Sequence, residues 1–187
     1  MIAEAGLAAL WLAAALSLLQ LGAGILSLRG ADVAGLIRPV AVAQGALAAL
    51  AFAALLMVFM RTDLSVALVA ANSHVDKPTI YKLAGAWGNH EGSMLLWIMV
   101  LAVSGAAVAA WERRLPERTM IATLAGQAAI GLGFYAFLLL ASNPFARLMP
   151  AATEGRGLNP VLQDPGLAFH PPTLNATPGK YSPSSGL

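Results

Sequence analysis

Four long apolar runs constrain this chain more than any other feature. Residues 39–60, 93–111 and 119–142 contain no Asp, Glu, Lys or Arg, and residues 2–28 contain one acid, Glu4, at the extreme end. Crossing a hydrocarbon core of roughly 30 Å takes about 20 apolar residues at 1.5 Å rise per residue, and each run is of that order. Lipid offers the backbone no hydrogen-bond partner, so a crossing segment must close its own bonds as an α-helix. The chain is therefore expected to be all-α, a polytopic membrane protein with four transmembrane helices at about 2–28, 39–60, 93–111 and 119–142. Charge content agrees. Only 11% of residues are charged and 58% are hydrophobic, with mean hydropathy +0.72, against about 25% charged in soluble domains. The first run lacks a basic start and exceeds the usual apolar core of a signal peptide, so it reads as a retained span.

Orientation follows from the basic residues. Arg29 and Arg38 bound the turn after the first run, and Arg113, Arg114 and Arg118 fill the turn after the third. Arg61, Lys77 and Lys82 are spread over the long 61–92 loop, and Arg147, Arg156 and Lys180 over the tail from Asn143. Density of Lys and Arg is much higher in the short turns, which are then cytoplasmic. The N-terminus, the 61–92 loop and the irregular C-terminal tail are expected outside, which in a bacterium is the periplasm. A net formal charge of +2 gives no reason to expect nucleic acid as a partner. The absence of cysteine excludes disulfides, thiolate metal sites and cysteine nucleophiles.

Within the runs, Gln20, Gln44 and Gln127 are the strongly polar side chains, and interhelical hydrogen bonding is the expected use of such amides. Small residues four apart, Ala122 with Gly126 and Gly105 with Ala109, point to close helix approach. No ionisable group or helix break lies at mid-span, which argues against a small transporter subunit.

Chemistry is expected in the two external segments. The first holds AWGNHEGSMLLW, residues 86–97, where Trp87 and Trp97 suit a membrane interface. His90 beside Glu91 is a candidate ligand; the plainer alternative is a helix N-terminal turn, with Glu91 at the positive end of the dipole. His74, between Ser73 and Val75, is most simply solvated. The second segment, NPFARLMPAATEGRGLNPVLQDPGLAFHPP, alternates apolar residues with Asn-Pro, Asp-Pro and Pro-Pro. Its His170 precedes Pro171 and should be extended. Imidazole readily coordinates iron or zinc near neutral pH.

WGNHEGSMLLW, SNPFARL, EGRGLNP and QDPGLAFHPP together resemble the amino-terminal part of the CcmF-type cytochrome c haem lyase subunit, in the haem-handling protein superfamily. The resemblance runs from about Met1 to Pro172. It implies cytochrome c-type biogenesis: haem received from a haem chaperone and attached covalently to apocytochrome c on the periplasmic side of the bacterial inner membrane, alongside other cytochrome c maturation subunits. It also implies that His170 is an axial ligand to haem iron in transit, since imidazole binds haem iron yet exchanges. His90 falls in a recurrent motif of the family without an assigned ligand role. The family's tryptophan-rich segment, second periplasmic histidine and transmembrane haem b histidines would lie beyond residue 187. Three regions are expected: the helical region 1–142, a periplasmic loop 143–172 with the FHPP motif, and a disordered tail 173–187, TLNATPGKYSPSSGL, that departs from the family. Such a chain is not expected to catalyse ligation alone. A non-catalytic scaffold that docks maturation subunits is the alternative.

Overall fold

The computed structural model describes residues 1–157. His170, the rest of the expected 143–172 loop beyond Gly157, and the 173–187 tail lie outside the described residues. Six α-helices run in the order α1 (Ile2–Leu28), α2 (Ile37–Met60), α3 (Ala67–Asn72), α4 (Thr79–Trp87), α5 (His90–Trp111) and α6 (Glu117–Leu140), with a short 3-10 turn at Ala34–Leu36 before α2. Of these, α1, α2, α5 and α6 are long and apolar enough to cross a membrane, with α2 counted together with its 3-10 turn. Among the described residues the only β pairing is an isolated antiparallel bridge between Val66 and Arg147.

The four long helices close a ring in which α1 packs between α2 and α6, and α5 completes the circuit between α6 and α2. Lipid tails are as apolar as leucine, so this ring is held by close packing and interhelical hydrogen bonds more than by exclusion of water. Two apolar layers fill it. The larger, nearer the N-terminus of α1, includes Leu10, Leu55, Phe59, Leu95, Tyr135, Leu138 and Phe145. The smaller, at the opposite end, includes Ile37, Ala41, Ala109, Met120 and Leu124.

Polar rungs tie the ring between these layers. Ser17 Oγ donates to Ala128 O at 3.0 Å, and Gln20 Nε2 donates to Leu124 O at 2.8 Å, joining α1 to α6. Gln44 Nε2 reaches Tyr135 Oη at 3.4 Å, and Gln127 donates to Leu101 O across α5 and α6. All three glutamines thus bond between helices. The small-residue expectation holds only in part: Gly105 lies under the Gln127 amide and Ala109 is buried. Ala122 and Gly126 instead face outward, with nothing near the Cβ position of Gly126.

Each end of the bundle has its own polar closure. At the end carrying the short turns, Arg38 donates to Ala109 O at 2.5 Å and Glu112 O at 3.0 Å, placing a cation on the exposed carbonyls that finish α5. At the other end, Arg147 from the tail donates to Glu4 Oε1 and to Asp63 Oδ2 at 3.3 Å, and also contacts Ser65 Oγ. It therefore ties the start of α1, the segment after α2 and the chain after α6 into one cap.

The 61–92 segment is more ordered than a loop. Its two short helices fold back onto the bundle and bury Val66, Leu68, Val69, Ala70, Ala84 and Ala86, partly beside Phe59 of α2. Their apolar residues are too few to cross a membrane but enough to cover the end of the helix ring.

Candidate functional site

The site accessible in the described residues is built around His90. Asn89 caps α5, its side-chain oxygen accepting from Gly92 N at 2.7 Å while its amide nitrogen donates to Gly85 O at 2.5 Å. This double bond of one side chain fixes the α4–α5 corner and starts α5 at His90. The corner leaves no room for a side chain at Gly92, where a Cβ would stand 1.6 Å from Ala86 O. Helix α5 therefore begins at His90, three residues earlier than the charge-free run predicts, with Glu91 in its first turn as the helix-terminus reading expects.

The His90 ring is held from α6. Its Nδ1 shares a 3.3 Å hydrogen bond with Ser142 Oγ, and the ring makes a T-shaped contact with Phe137, with centroids 5.5 Å apart and planes at 82°. In the tautomer that donates from Nδ1, the Nε2 lone pair is free to bind a metal. Beside the ring runs a groove of about 300 Å³ between α5 and α6, lined by His90, Met94, Ile130, Gly133, Phe134 and Phe137. It is apolar apart from the imidazole. Gly133 has open space over its Cβ position, so the groove floor is flat there. An exposed imidazole beside an apolar groove can bind the metal of an apolar complex through Nε2.

His74 stays apart from this arrangement. Its Nδ1 accepts from Asp76 N at 3.3 Å and lies 3.5 Å from Asp76 Oδ2, a local surface turn. No group of three or more His, Cys, Asp or Glu side chains among the described residues is placed to hold a metal ion. Trp97 stands exposed on the outer face of α5, while Trp87 packs partly buried on the apolar core. In the segment after α2, the Ser65 hydroxyl, then the Ser65 amide and Arg147, hold the Asp63 carboxyl below the usual range, against partial desolvation.

Sequence reading did not find Ser142, Phe137 or Gly133 as neighbours of His90. They belong to the charge-free fourth run, where nothing local marks them. Sequence alone places Glu4 at the extreme end of the first run and gives no sign that Arg147 is its partner.

Comparison with known proteins bears on this site. The family model described as cytochrome C assembly protein matches residues 87–177, a stretch that contains both His90 and His170. The chain is 51% identical over 179 residues to the cytochrome c-type biogenesis protein ccl1 of Rhodobacter capsulatus, covering 93% of this chain and 27% of that protein. It is 50% identical to CycK of Rhizobium meliloti, over 93% of this chain and 26% of the relative. It is 44% identical to CcmF of Pseudomonas aeruginosa, over 93% of this chain and 27% of the relative. Over 93% of its length the chain is similar to CcmF-type cytochrome c biogenesis proteins. A solved cytochrome c haem lyase CcmF superposes with a TM-score of 0.70 at 26% identity, over 78% of this chain and 25% of that one. The chain thus spans about a quarter of the length of the CcmF-type proteins it matches, and its four long apolar helices make it a multi-pass membrane protein.

Proposed function

We propose that this chain supplies part of the outer-face haem-handling surface of a CcmF-type assembly, with haem as cargo on its way to apocytochrome c. In this reading the N-terminus and the segment after α6 lie on the periplasmic side of a bacterial inner membrane. The arginine-dense turns face the cytoplasm. His170 is the axial ligand to the haem iron, and other maturation subunits, a haem chaperone and apocytochrome c are the partners.

The observation that carries the reading is the family match over residues 87–177, which takes in His90 and His170. Geometry adds support on His90. Its ring stands at the same end of the bundle as the Arg147 cap, through Ser142, the end where the described chain reaches Gly157 beside Ser73. Histidine suits a handover step because an imidazole–iron bond is strong enough to hold haem and still exchangeable. The described residues contribute a scaffold, one anchored imidazole and an apolar groove beside it. Covalent attachment needs more than these groups supply.

The test is spectroscopic. The chain is purified in detergent with haem supplied, beside His170→Ala and His90→Ala. A Soret band that is lost in His170→Ala and weakened several-fold in His90→Ala is the expected result. A band of unchanged position and intensity in His170→Ala removes the ligand assignment, and unchanged haem content in His90→Ala reduces His90 to a helix-start residue.

A further inference from the structure

We infer that the junction of α1 and α6, at the arginine-dense end of the bundle, is a binding pocket for a zwitterionic phospholipid headgroup. The headgroup is a phosphate that carries a primary ammonium, as in phosphatidylethanolamine. This site is separate from the His90 groove and does not depend on haem.

A cavity of about 290 Å³ opens at the junction, and its lining includes Ser27, Leu28, Gly30, Glu117, Arg118 and Ile121. Leu28 ends one of the membrane-length helices and Glu117 begins another. The cavity therefore sits where the hydrocarbon core gives way to headgroups. Basic pockets between transmembrane helices at that depth suit lipid headgroups.

Three polar side chains of the lining are free to meet a ligand. Ser27, Glu117 and Arg118 make no side-chain hydrogen bond or ion pair among the described residues. Helix α1 closes its own end, with Gly30 N donating to Ser27 O and Ala31 N to Leu26 O, both at 3.0 Å. Gly30 supplies the positive φ of 99° that this closure needs, so the Ser27 hydroxyl is not drawn into capping. Helix α6 starts differently. Its N-cap is Pro116, with no side-chain cap, so its first amides have no partner inside the helix. Those amides, the Arg118 guanidinium and the Ser27 hydroxyl make a donor set for a phosphate. Glu117, in the same lining, accepts from an ammonium. A purely anionic headgroup would set its phosphate beside an unmatched carboxylate, and a quaternary ammonium has no N–H to donate. A primary ammonium on the phosphate satisfies both charges.

The same two helices leave room for a lipid tail. Farther along them lies an apolar groove of about 270 Å³, whose walls include Trp11, Ala15 and Leu18 of α1 and Leu132, Ala136 and Leu140 of α6. Its near edge, Leu18, is about 15 Å from Leu28 along α1 at 1.5 Å rise per residue. That is half of a hydrocarbon core of roughly 30 Å, the depth of one leaflet.

Native mass spectrometry of the delipidated chain in mild detergent tests the pocket. Dioleoyl phosphatidylethanolamine, phosphatidylglycerol and phosphatidylcholine are added separately, at equal concentration, to wild type, Glu117→Gln, Arg118→Gln and Arg113→Gln. All three substituted side chains are exposed, so the fold is kept, as far-UV circular dichroism checks. Wild type should bind several-fold more phosphatidylethanolamine than either other lipid. Glu117→Gln should lose that preference, Arg118→Gln should bind all three several-fold less, and Arg113→Gln, outside the lining, should match wild type. Equal binding of the three lipids by wild type, or equal effects of Arg118→Gln and Arg113→Gln, overturns the pocket. Glycerophosphoethanolamine, the headgroup without tails, separates a lipid from a soluble phosphoester. It should leave bound phosphatidylethanolamine in place, and displacement at equal concentration overturns the lipid assignment.

Discussion

Replacing Gly45 by alanine forces apart two helices that touch without a side chain between them. A Cβ at Gly45 of α2 would stand 2.6 Å from Ala106 Cβ and 3.0 Å from Ala102 O on α5. Carbon pairs are most stable near 3.5–4.0 Å, so the two helices must part by about 1 Å along this seam. Added methyl groups in a packed interior cost about 1–3 kcal/mol. Against that, alanine in a helix gains up to about 1 kcal/mol over glycine. Gly126 on α6 separates the two terms, because nothing lies within 4 Å of its Cβ position. Gly126→Ala carries the propensity gain alone, so the difference between the variants isolates the steric cost: Gly45→Ala less stable than Gly126→Ala by about 1–3 kcal/mol. Both variants, with wild type, are unfolded reversibly by titrating SDS into mild detergent, with tryptophan fluorescence and helical circular dichroism followed together. Equal midpoints for the two variants, or a Gly45→Ala chain more stable than wild type, would refute the α2–α5 contact.

The polar closures give further outcomes. Gln20→Leu removes the bond to Leu124 O but also an oxygen, Oε1, that is buried without a partner among the described residues. Its stability should stay within about 1 kcal/mol of wild type in the same SDS titration, since interhelical hydrogen bonds in membranes average about 0.6 kcal/mol. Arg38→Met strips a cation and two donors from the end of α5, and a loss of about 1–3 kcal/mol is expected, with Arg38→Lys recovering only part because it lacks the planar fork. Asp63 is held below its ordinary range in the folded chain. Its contribution is therefore present above the unfolded-state value of about 4 and is lost as pH falls through the lower folded value. The stability gap between wild type and Asp63→Asn should be constant from pH 7 to 5 and close below about pH 4; a gap that widens with acid contradicts the Ser65–Arg147 pairing. For orientation, the chain's lack of cysteine allows single labels: with a membrane-impermeant maleimide on intact cells, Val75→Cys should react and Asp32→Cys should react only after lysis.

How much was legible in the sequence depends on which physical signal each element carries. Lipid excludes charge, so the four spans announce themselves by what they lack, and α1 runs over the expected residues. The other starts move by two or three residues because local caps outrank hydropathy. Asn89 starts α5 at His90, and α2 accommodates Pro39 in its first turn, where the missing amide costs nothing. Helices α3 and α4 were hidden because a few apolar residues between polar ones mark a covered corner as readily as a loop. Small residues told a similar half-truth. Spacing by four shows that a helix can be approached but not from which side, and on α6 the approached face carries Ala125, under Gly24 of α1, while Gly126 looks out. The histidine motifs were visible, yet the His90 slot needed Gly133 and Phe137 of α6 and Ser142 just after it, up to 52 residues downstream, where only tertiary packing assigns them. Glu4 shows the same limit from the other side. The one acid in the first span is tolerated because the N-terminal ammonium and Arg147, from the far end of the described chain, both pair with it at the bundle surface. A charge at the edge of an apolar run is therefore a marker of where the chain comes back. Here it comes back beside the α3–α4 corner, where Gly157 lies against Lys77.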